Sequence, residues 1–453
     1  MTKQQRLVLV VSILASFVAF LDGSVVNVAL PAISRELGGG LSAQQWTVDA
    51  YLITLGALIL IAGSLSDLFG RRRILWIGLI WFGVASLMCA LAPNSAFLIV
   101  ARALQGIAGA LLVPSSLAII ISSFSGVAQS KAIGSWTAWT GISFIVGPVV
   151  GGFLVDAASW RWIFAINVAP IAVTLWLLRL LHQPERVKES TTVDVVGAVL
   201  CAIGLGGPVF ALIEQPHYGW SSPAVYLSSL VGLGFLGAFI WHEKHAAQPM
   251  LPFSLFKVRN FSFGNLATAT IYAGLSISTF LIVIFLQQVA GYSALRAGLA
   301  LLPVTIVMFL LSPRFGMLAG KYGARIFMTA GPLVAAGGFL LMLRVQPQVA
   351  YVADLLPGVL LFALGLSMTV APLTAAVLGD IDTKHAGVAS AVNNAVARIA
   401  GLIAIALVGV ITGSQLDVDG FHRTIVVTAV LMILGGIISF IGIRRVSSSA
   451  TDS

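Results

Sequence analysis

The chain has 453 residues, 58% of them hydrophobic and only 9% charged, with mean hydropathy +1.02 and a net charge of +9. So little charge cannot cover a water-soluble globule of this length, whereas runs of about 20 apolar residues, enough to cross a bilayer, recur throughout. The basic excess could suggest nucleic acid, but in a membrane chain it gathers in cytoplasmic loops, so no nucleic-acid partner is expected.

The two cysteines, Cys89 and Cys201, fall inside apolar runs and give no disulfide or metal framework. Lys3 and Arg6 precede the first apolar run as in a signal peptide, but that run continues past Asp22 without a small-residue cleavage site. A retained first helix is expected. Hydropathy and Gly/Pro/charge punctuation then predict fourteen membrane spans: 7–32, 45–65, 74–91, 96–121, 132–154, 160–181, 194–213, 224–241, 261–289, 299–318, 326–343, 355–379, 387–411 and 424–443. A polar linker around Pro184 precedes the seventh. Residues 249–260 mix Leu251, Phe253, Leu255 and Phe256 with Lys257 and Arg259, which fits a surface-lying segment or a plain loop.

Between the second and third spans stands Gly63-Ser64-Leu65-Ser66-Asp67-Leu68-Phe69-Gly70-Arg71-Arg72-Arg73, read as a tight basic loop. A partial copy lies between the tenth and eleventh, where Gly316, Leu318, Gly323 and Arg325 match Gly63, Leu65, Gly70 and Arg72. One long offset implies two homologous halves with an insertion between them. The division expected is 1–182 as an N-terminal six-helix bundle, 183–245 as linker with two additional spans poor in polar residues, and 246–453 as a C-terminal six-helix bundle. Seventeen Lys and Arg lie on the side holding both termini and five on the other, which places the termini and both motif loops in the cytoplasm.

Charges inside spans cost roughly 2.5–3.5 kcal/mol each on insertion scales and so face partners or water. Asp22, Asp49 and Arg102 all fall in the outer half of the membrane, at comparable depth, and are expected to cluster. The alternative is that Asp49 reaches the interface and Arg102 only pins the bundle. Gln105 and Gly109 share a helical face with Arg102. The fifth span carries Gly141, Gly147, Pro148, Gly151 and Gly152, the pattern of a bendable helix packed closely on a neighbour. In the second half, Asn265, Thr268, Tyr272, Ser276 and Thr279 form a polar stripe, while Asn393, Asn394 and Arg398 stand in the thirteenth span. Such a stripe makes helix–helix hydrogen bonds or lines a cavity. No Walker spacing, zinc pair or nucleophile elbow occurs, so the chain reads as no enzyme, without cofactor and driven by an ion gradient.

Together these motifs resemble the major facilitator superfamily. Residues 63–73 are similar to its helix 2–3 signature, residues 102–110 to its helix 4 motif and residues 141–152 to the antiporter motif of helix 5. Leu21-Asp22-Gly23-Ser24-Val25-Val26-Asn27-Val28-Ala29-Leu30-Pro31 resembles the helix 1 motif of its fourteen-helix drug:proton antiporter group. There are departures: Leu68 replaces a usual basic residue, and Gly320 stands where the first copy has Asp67. The resemblance implies an all-α polytopic fold of two six-helix bundles plus two inserted helices around a central cavity. It further implies alternating access and multidrug efflux of lipophilic, cationic compounds in exchange for protons across a bacterial cytoplasmic membrane, by a monomer among membrane lipids. An alternative is export of one metabolite, lipid or self-made antibiotic. A membrane enzyme lacks any catalytic pattern, and a transport-dead sensor need not retain Asp22 and Arg102.

On this reading Asp22 carries the coupling proton, with Asp49 as runner-up or partner and Arg102 beside them. Asn27, Gln105, Asn265, Thr268, Tyr272, Asn393, Asn394 and Arg398 are assigned to the substrate cavity. Gly63, Asp67, Gly70, Arg71 and Arg72 with the fifth-span glycines and Pro148 are assigned to conformational change, Asp67 being expected to meet the start of the thirteenth span at residues 385–387.

Overall fold

Without water to bond free backbone groups, apolar segments of this length satisfy themselves as helices. The computed structural model describes residues 1–181, 193–246, 249–381, 386–413 and 416–444, and among them no strand occurs. Among the described residues, thirteen helices are long and apolar enough to cross a membrane. A fourteenth is α2 (Gly40–Phe69) counted as a bent pair, Gly40–Ile59 and Ile61–Phe69, turned by 57°. The fourteen-span expectation is met in that form.

The chain forms two compact units, one of residues 1–250 and 292–299, the other of 251–291 and 300–453. In the first, α1 (Lys3–Leu37) packs on α5 (Gly126–Ala157) and α4 (Ser95–Ser123), α2 packs on α4, and α3 (Arg71–Ala90) packs on α4. The predicted sixth span is broken in two, α6 (Trp162–Ala165) and α7 (Val168–Arg179), with Asn167 at the break. α8 (Val195–Tyr218) and α9 (Pro223–His245) form a hairpin, and α8 also lies on α2. These two helices are less apolar at their ends than their composition suggests. Asp194 caps the Gly197 amide at 2.8 Å and meets His242 Nε2 at 2.8 Å. Burial opposes ionisation of Asp194, but the Gly197 amide and His242 together hold its carboxyl below the ordinary value.

In the second unit, α10 (Arg259–Gln288) packs on α15 (Ala386–Thr412) and α16 (Val418–Gly442), and α13 (Ala324–Leu341) packs on α14 (Leu356–Gly379). The predicted tenth span divides into α11 (Ala294–Ala300), which falls almost wholly in the first unit, and α12 (Leu302–Tyr322), parted just before Pro303. Of residues 249–260, Phe253–Lys257 form one short 3-10 turn, and Arg259 and Asn260 already belong to α10.

The expected loop over residues 63–73 is much shorter than its motif. α2 runs helical through Gly63 to Phe69, and α3 starts at Arg71, so the turn is made by Gly70 alone at φ +93°. The copy repeats this: α12 ends at Tyr322, α13 begins at Ala324, and Gly323 sits at φ +97°. Gly63 is an ordinary helical residue with open space where a Cβ would stand. Only glycine holds such a φ without strain. Gly70→Ala is therefore expected to lose about 1–3 kcal/mol to backbone strain and Gly63→Ala very little. Melting temperatures of the two variants in detergent check the contrast.

Candidate functional site

A charged side chain deep in an apolar bundle must be matched atom by atom, and Arg102 is so matched. Arg102 is 1% exposed and Asp22 fully buried. Arg102 Nη1 donates to Asp22 Oδ2 at 2.6 Å and to Gln105 Oε1 at 2.6 Å, while its Nε donates to the Thr47 carbonyl of α2 at 3.0 Å. The guanidinium lies over the Tyr51 ring, 4.3 Å from its centroid, an attraction that strengthens on desolvation. Asp22 Oδ1 accepts from Gln105 Nε2 at 2.8 Å and from Asn167 Nδ2 at 3.0 Å. Ser86 Oγ of α3 accepts from Gln105 at 2.9 Å, and the Cys89 thiol reaches Gln105 Oε1 at 3.6 Å.

Close helix packing makes this geometry reachable. A Cβ on Gly106 would run into the Tyr51 carbonyl and the Thr54 hydroxyl, and Thr54 donates to the Ala103 carbonyl at 2.8 Å. Gly106 thus brings α4 onto α2 at the level where Arg102 reaches Thr47 and Tyr51. On the other side of α1, Gly147 of α5 abuts Ser24 and Gly151 abuts Val25. Ser24 Oγ donates to the Ser143 carbonyl at 3.1 Å. Gly152 lies against Ala294 and Leu295 of α11, whose amides donate to Asp156 at 3.0 and 2.9 Å. Gly141 has open space around it.

The structure therefore joins Asp22, Arg102 and Gln105 but leaves Asp49 out. Asp49 is fully buried, and neither carboxylate oxygen has a hydrogen-bond partner among the described residues. It lies on a different face of α2 from Thr47 and Tyr51. Gln105 belongs to the charge cluster and is fully buried rather than facing open space. Asn27 is half-buried on α1, about 140° around the helix from Asp22. In the second unit, Asn393 Nδ2 donates to Asn265 Oδ1 at 3.1 Å and to Thr268 Oγ1 at 2.8 Å, so these three make helix–helix hydrogen bonds. Asn394 is exposed and bonds the Ser390 carbonyl at 3.0 Å. Arg398 stands near enough for its charge to act on the Tyr272 hydroxyl.

At the Gly70 turn, Asp67 pairs with Arg71 at 2.8 Å, and Arg71 Nη1 donates to the Ala118 carbonyl of α4 at 2.9 Å. Arg72 is half-buried beside them. His385, near which Asp67 was expected to dock, lies outside the described residues, as does most of the linker at 182–192. Sequence reading missed Asn167, Ser86 and Thr47 in the cluster, and the Glu36–Arg161 pair that Trp160 supports from its indole nitrogen at 2.6 Å. Asn167 carried a signal: an amide within Ile166-Asn167-Val168-Ala169-Pro170, an otherwise apolar run.

The comparisons agree with this architecture. The sequence profile described as Major Facilitator Superfamily matches residues 12–405. The chain is 32% identical over 419 residues to the multidrug resistance protein Stp of Mycobacterium tuberculosis, covering 92% of this chain and 78% of that protein. It is 33% identical over 427 residues to the puromycin resistance protein pur8 of Streptomyces alboniger, covering 92% and 84%. In fold it is similar to the xylose transporter XylE of E. coli, at TM-score 0.67 and 15% identity, over 97% of both chains. A bacterial homolog of the human lysosomal transporter Spinster gives TM-score 0.71 at 15% identity, again over 97% of both. The chain belongs to the major facilitator superfamily. It is a multi-pass membrane transporter, not an enzyme.

Breaking a buried pair from one side leaves an uncompensated charge, whereas replacing both partners by apolar groups does not. Arg102→Met is expected to cost about 3–5 kcal/mol, and adding Asp22→Leu to recover most of that loss. Thermal unfolding of the single and double variants measures the recovery.

Proposed function

We propose that this transporter is a proton-coupled antiporter, exporting lipophilic, cationic compounds across the cytoplasmic membrane by alternating access. The observation that carries the reading is the Asp22–Arg102 pair, sealed in the first unit and held by groups from α1 through α4 and from the α6–α7 break. Relatives named for multidrug and antibiotic resistance supply the context. Three donors meet the two oxygens of the Asp22 carboxylate. A proton placed there removes the charge that offsets Arg102 and turns one acceptor into a donor. Gln105 and Asn167 then lose their match, and the α1–α4 contact weakens. Protonation thus converts directly into a change of helix packing, as an exchanger with two accessible states needs. Protons and lipophilic small molecules are its partners, the proton gradient its drive in place of any cofactor. It works as a monomer among membrane lipids, with both termini in the cytoplasm.

A second reading, export of a single antibiotic, is favoured by relatives named for one compound: the puromycin resistance protein, and the methylenomycin A resistance protein of Bacillus subtilis at 33% identity. A resistance panel of several lipophilic cations with puromycin separates the two.

Asp22→Asn keeps the shape and most of the hydrogen bonding but removes the titration. In proteoliposomes it is expected to bind ethidium with near wild-type affinity, yet to lose ethidium-driven proton release and uphill ethidium export. Wild-type accumulation by the variant under an imposed pH gradient would assign coupling elsewhere.

A further inference from the structure

The bare carboxyl of Asp49 needs an account that the Asp22 cluster does not provide. At about 100° per residue, Ser42, Trp46 and Asp49 fall within about 60° of one another on α2, while Thr47 and Tyr51, which hold Arg102, lie on its other side. The Ser42–Trp46 face is covered by α8. Trp46 Nε1 donates to Glu214 Oε1 at 2.8 Å and Ser42 Oγ donates to the same oxygen at 3.1 Å. The Trp46 ring meets Phe210, one turn before Glu214, with centroids 6.0 Å apart.

Asp49 is about 4.5 Å further along the α2 axis than Trp46. α8 runs antiparallel, so the same rise from Phe210 brings Asp49 level with Gly206 and Gly207. Gly206 has no side chain to fill the seam there, and a Cβ built on it would meet nothing within 4 Å, whereas Gly207 faces α9, where a Cβ would run into the Ser228 carbonyl. Glu214 is half-buried four residues from the end of α8, and Asp49 is fully buried below it. The other ionisable groups on helices packed against α2 face elsewhere. Arg102 of α4 and Asp22 of α1 are on its opposite side, Glu36 of α1 pairs with Arg161, Cys89 of α3 points to Gln105 and Cys201 of α8 lies towards Glu243 of α9, while His217 and Tyr218, both exposed, meet edge to face in the turn just beyond Glu214. No cation among the described residues pairs with Asp49 or Glu214.

We propose that Asp49 and Glu214 form a second proton site on the α2–α8 seam, separate from the Asp22–Arg102 cluster, with Glu214 as its port. Glu214 takes a proton from water on the side of the membrane where α2 begins and passes it along a file of waters in the seam to the Asp49 carboxylate. Glu214 is left as a carboxylate held by Trp46 and Ser42, and Asp49 as a neutral acid; the proton moves and no electron does. A carboxylate with no donor in an apolar interior is a strong proton acceptor, so the proton passes from Glu214 to Asp49. Glu214 has only neutral donors, so no fixed cation keeps it from accepting the next proton. The inference deepens the antiport reading and relies on it only for the direction of flow, which the lysine and arginine count makes inward.

The test reads the protonated carboxyl itself, in the full-length protein reconstituted in lipid. Infrared difference spectra should contain a carboxylic C=O band that disappears in Asp49→Asn and persists in Asp22→Asn. After transfer from H2O to D2O, that band should shift at least about a hundredfold more slowly in Glu214→Gln than in wild type, the low end of what a positioned proton-transfer group contributes. The amide oxygen introduced by Glu214→Gln still accepts from Trp46 and Ser42, so the fold is kept. Glu214→Asp, which retains a titrating group, should restore much of the exchange rate, a rescue that a merely structural Glu214 would not show. A band that survives Asp49→Asn, or exchange equal to wild type in Glu214→Gln, overturns the proposal. An intact band with its Glu214 dependence, but no ethidium-driven proton movement, would leave the port standing and count against antiport.

Discussion

The Arg102–Asp22 pair is the constraint around which the first unit is built. Taking both charges out of water is costly, and their attraction repays it only when every remaining donor and acceptor is also met. Here the matching groups come from α1, α2, α3, α4 and the α6–α7 break. No single helix could supply them, so the pair fixes the rotation and depth of each helix relative to the others. In lipid, where apolar burial does not distinguish one helix face from another, this polar knot does the specifying that a hydrophobic core does in water.

The knot would be out of reach without the small residues around it. Arg102 extends to α2 because Gly106 lets α4 approach the Tyr51 carbonyl, and Asp22 is pressed inward because Gly147 and Gly151 let α5 approach Ser24 and Val25. A change at Asp22 is therefore felt at once by α4 and α5, which grip α1 from two sides. Within the next turn of α5, Gly152 and Asp156 hold α11, so the same helix that backs the charge cluster also holds that segment.

Much of this was legible in the sequence, for identifiable reasons. Spans are written in hydropathy, and Asp22, Arg102 and Gln105 stood out because polar groups in apolar runs are costly. What could not be read was which way each pointed. Asp22 and Asp49 have the same chemistry and similar depth, so sequence grouped them. Two residues of helical phase between Thr47 and Asp49 are enough to put Asp49 on the α8 face instead. The motif around Gly70 was over-read as a loop because its glycines and arginines look alike in sequence, although only one glycine takes a positive φ. Asn167 was passed over because a broken span keeps the hydropathy of a whole one. Glu214 fell just outside its predicted span, where a carboxylate looks like an ordinary interfacial residue.

The two halves have diverged most in where they keep acids. In the second unit the acidic residues among those described, Asp354, Asp380, Asp417 and Asp419, sit at helix ends, where Asp417 caps α16 and Asp380 meets Asn260. Its interior polar stripe is neutral, Asn265, Thr268 and Asn393 bonding one another, with Arg398 as its cation beside Tyr272. Amides and hydroxyls keep their hydrogen-bonding roles at every physiological pH, so that unit presents the same interior whatever the proton concentration. The first unit instead buries one carboxyl saturated with donors and one with none. Two acids of the same kind thus stand in opposed settings within one unit. That asymmetry is confined to the unit that also carries the hairpin of α8 and α9.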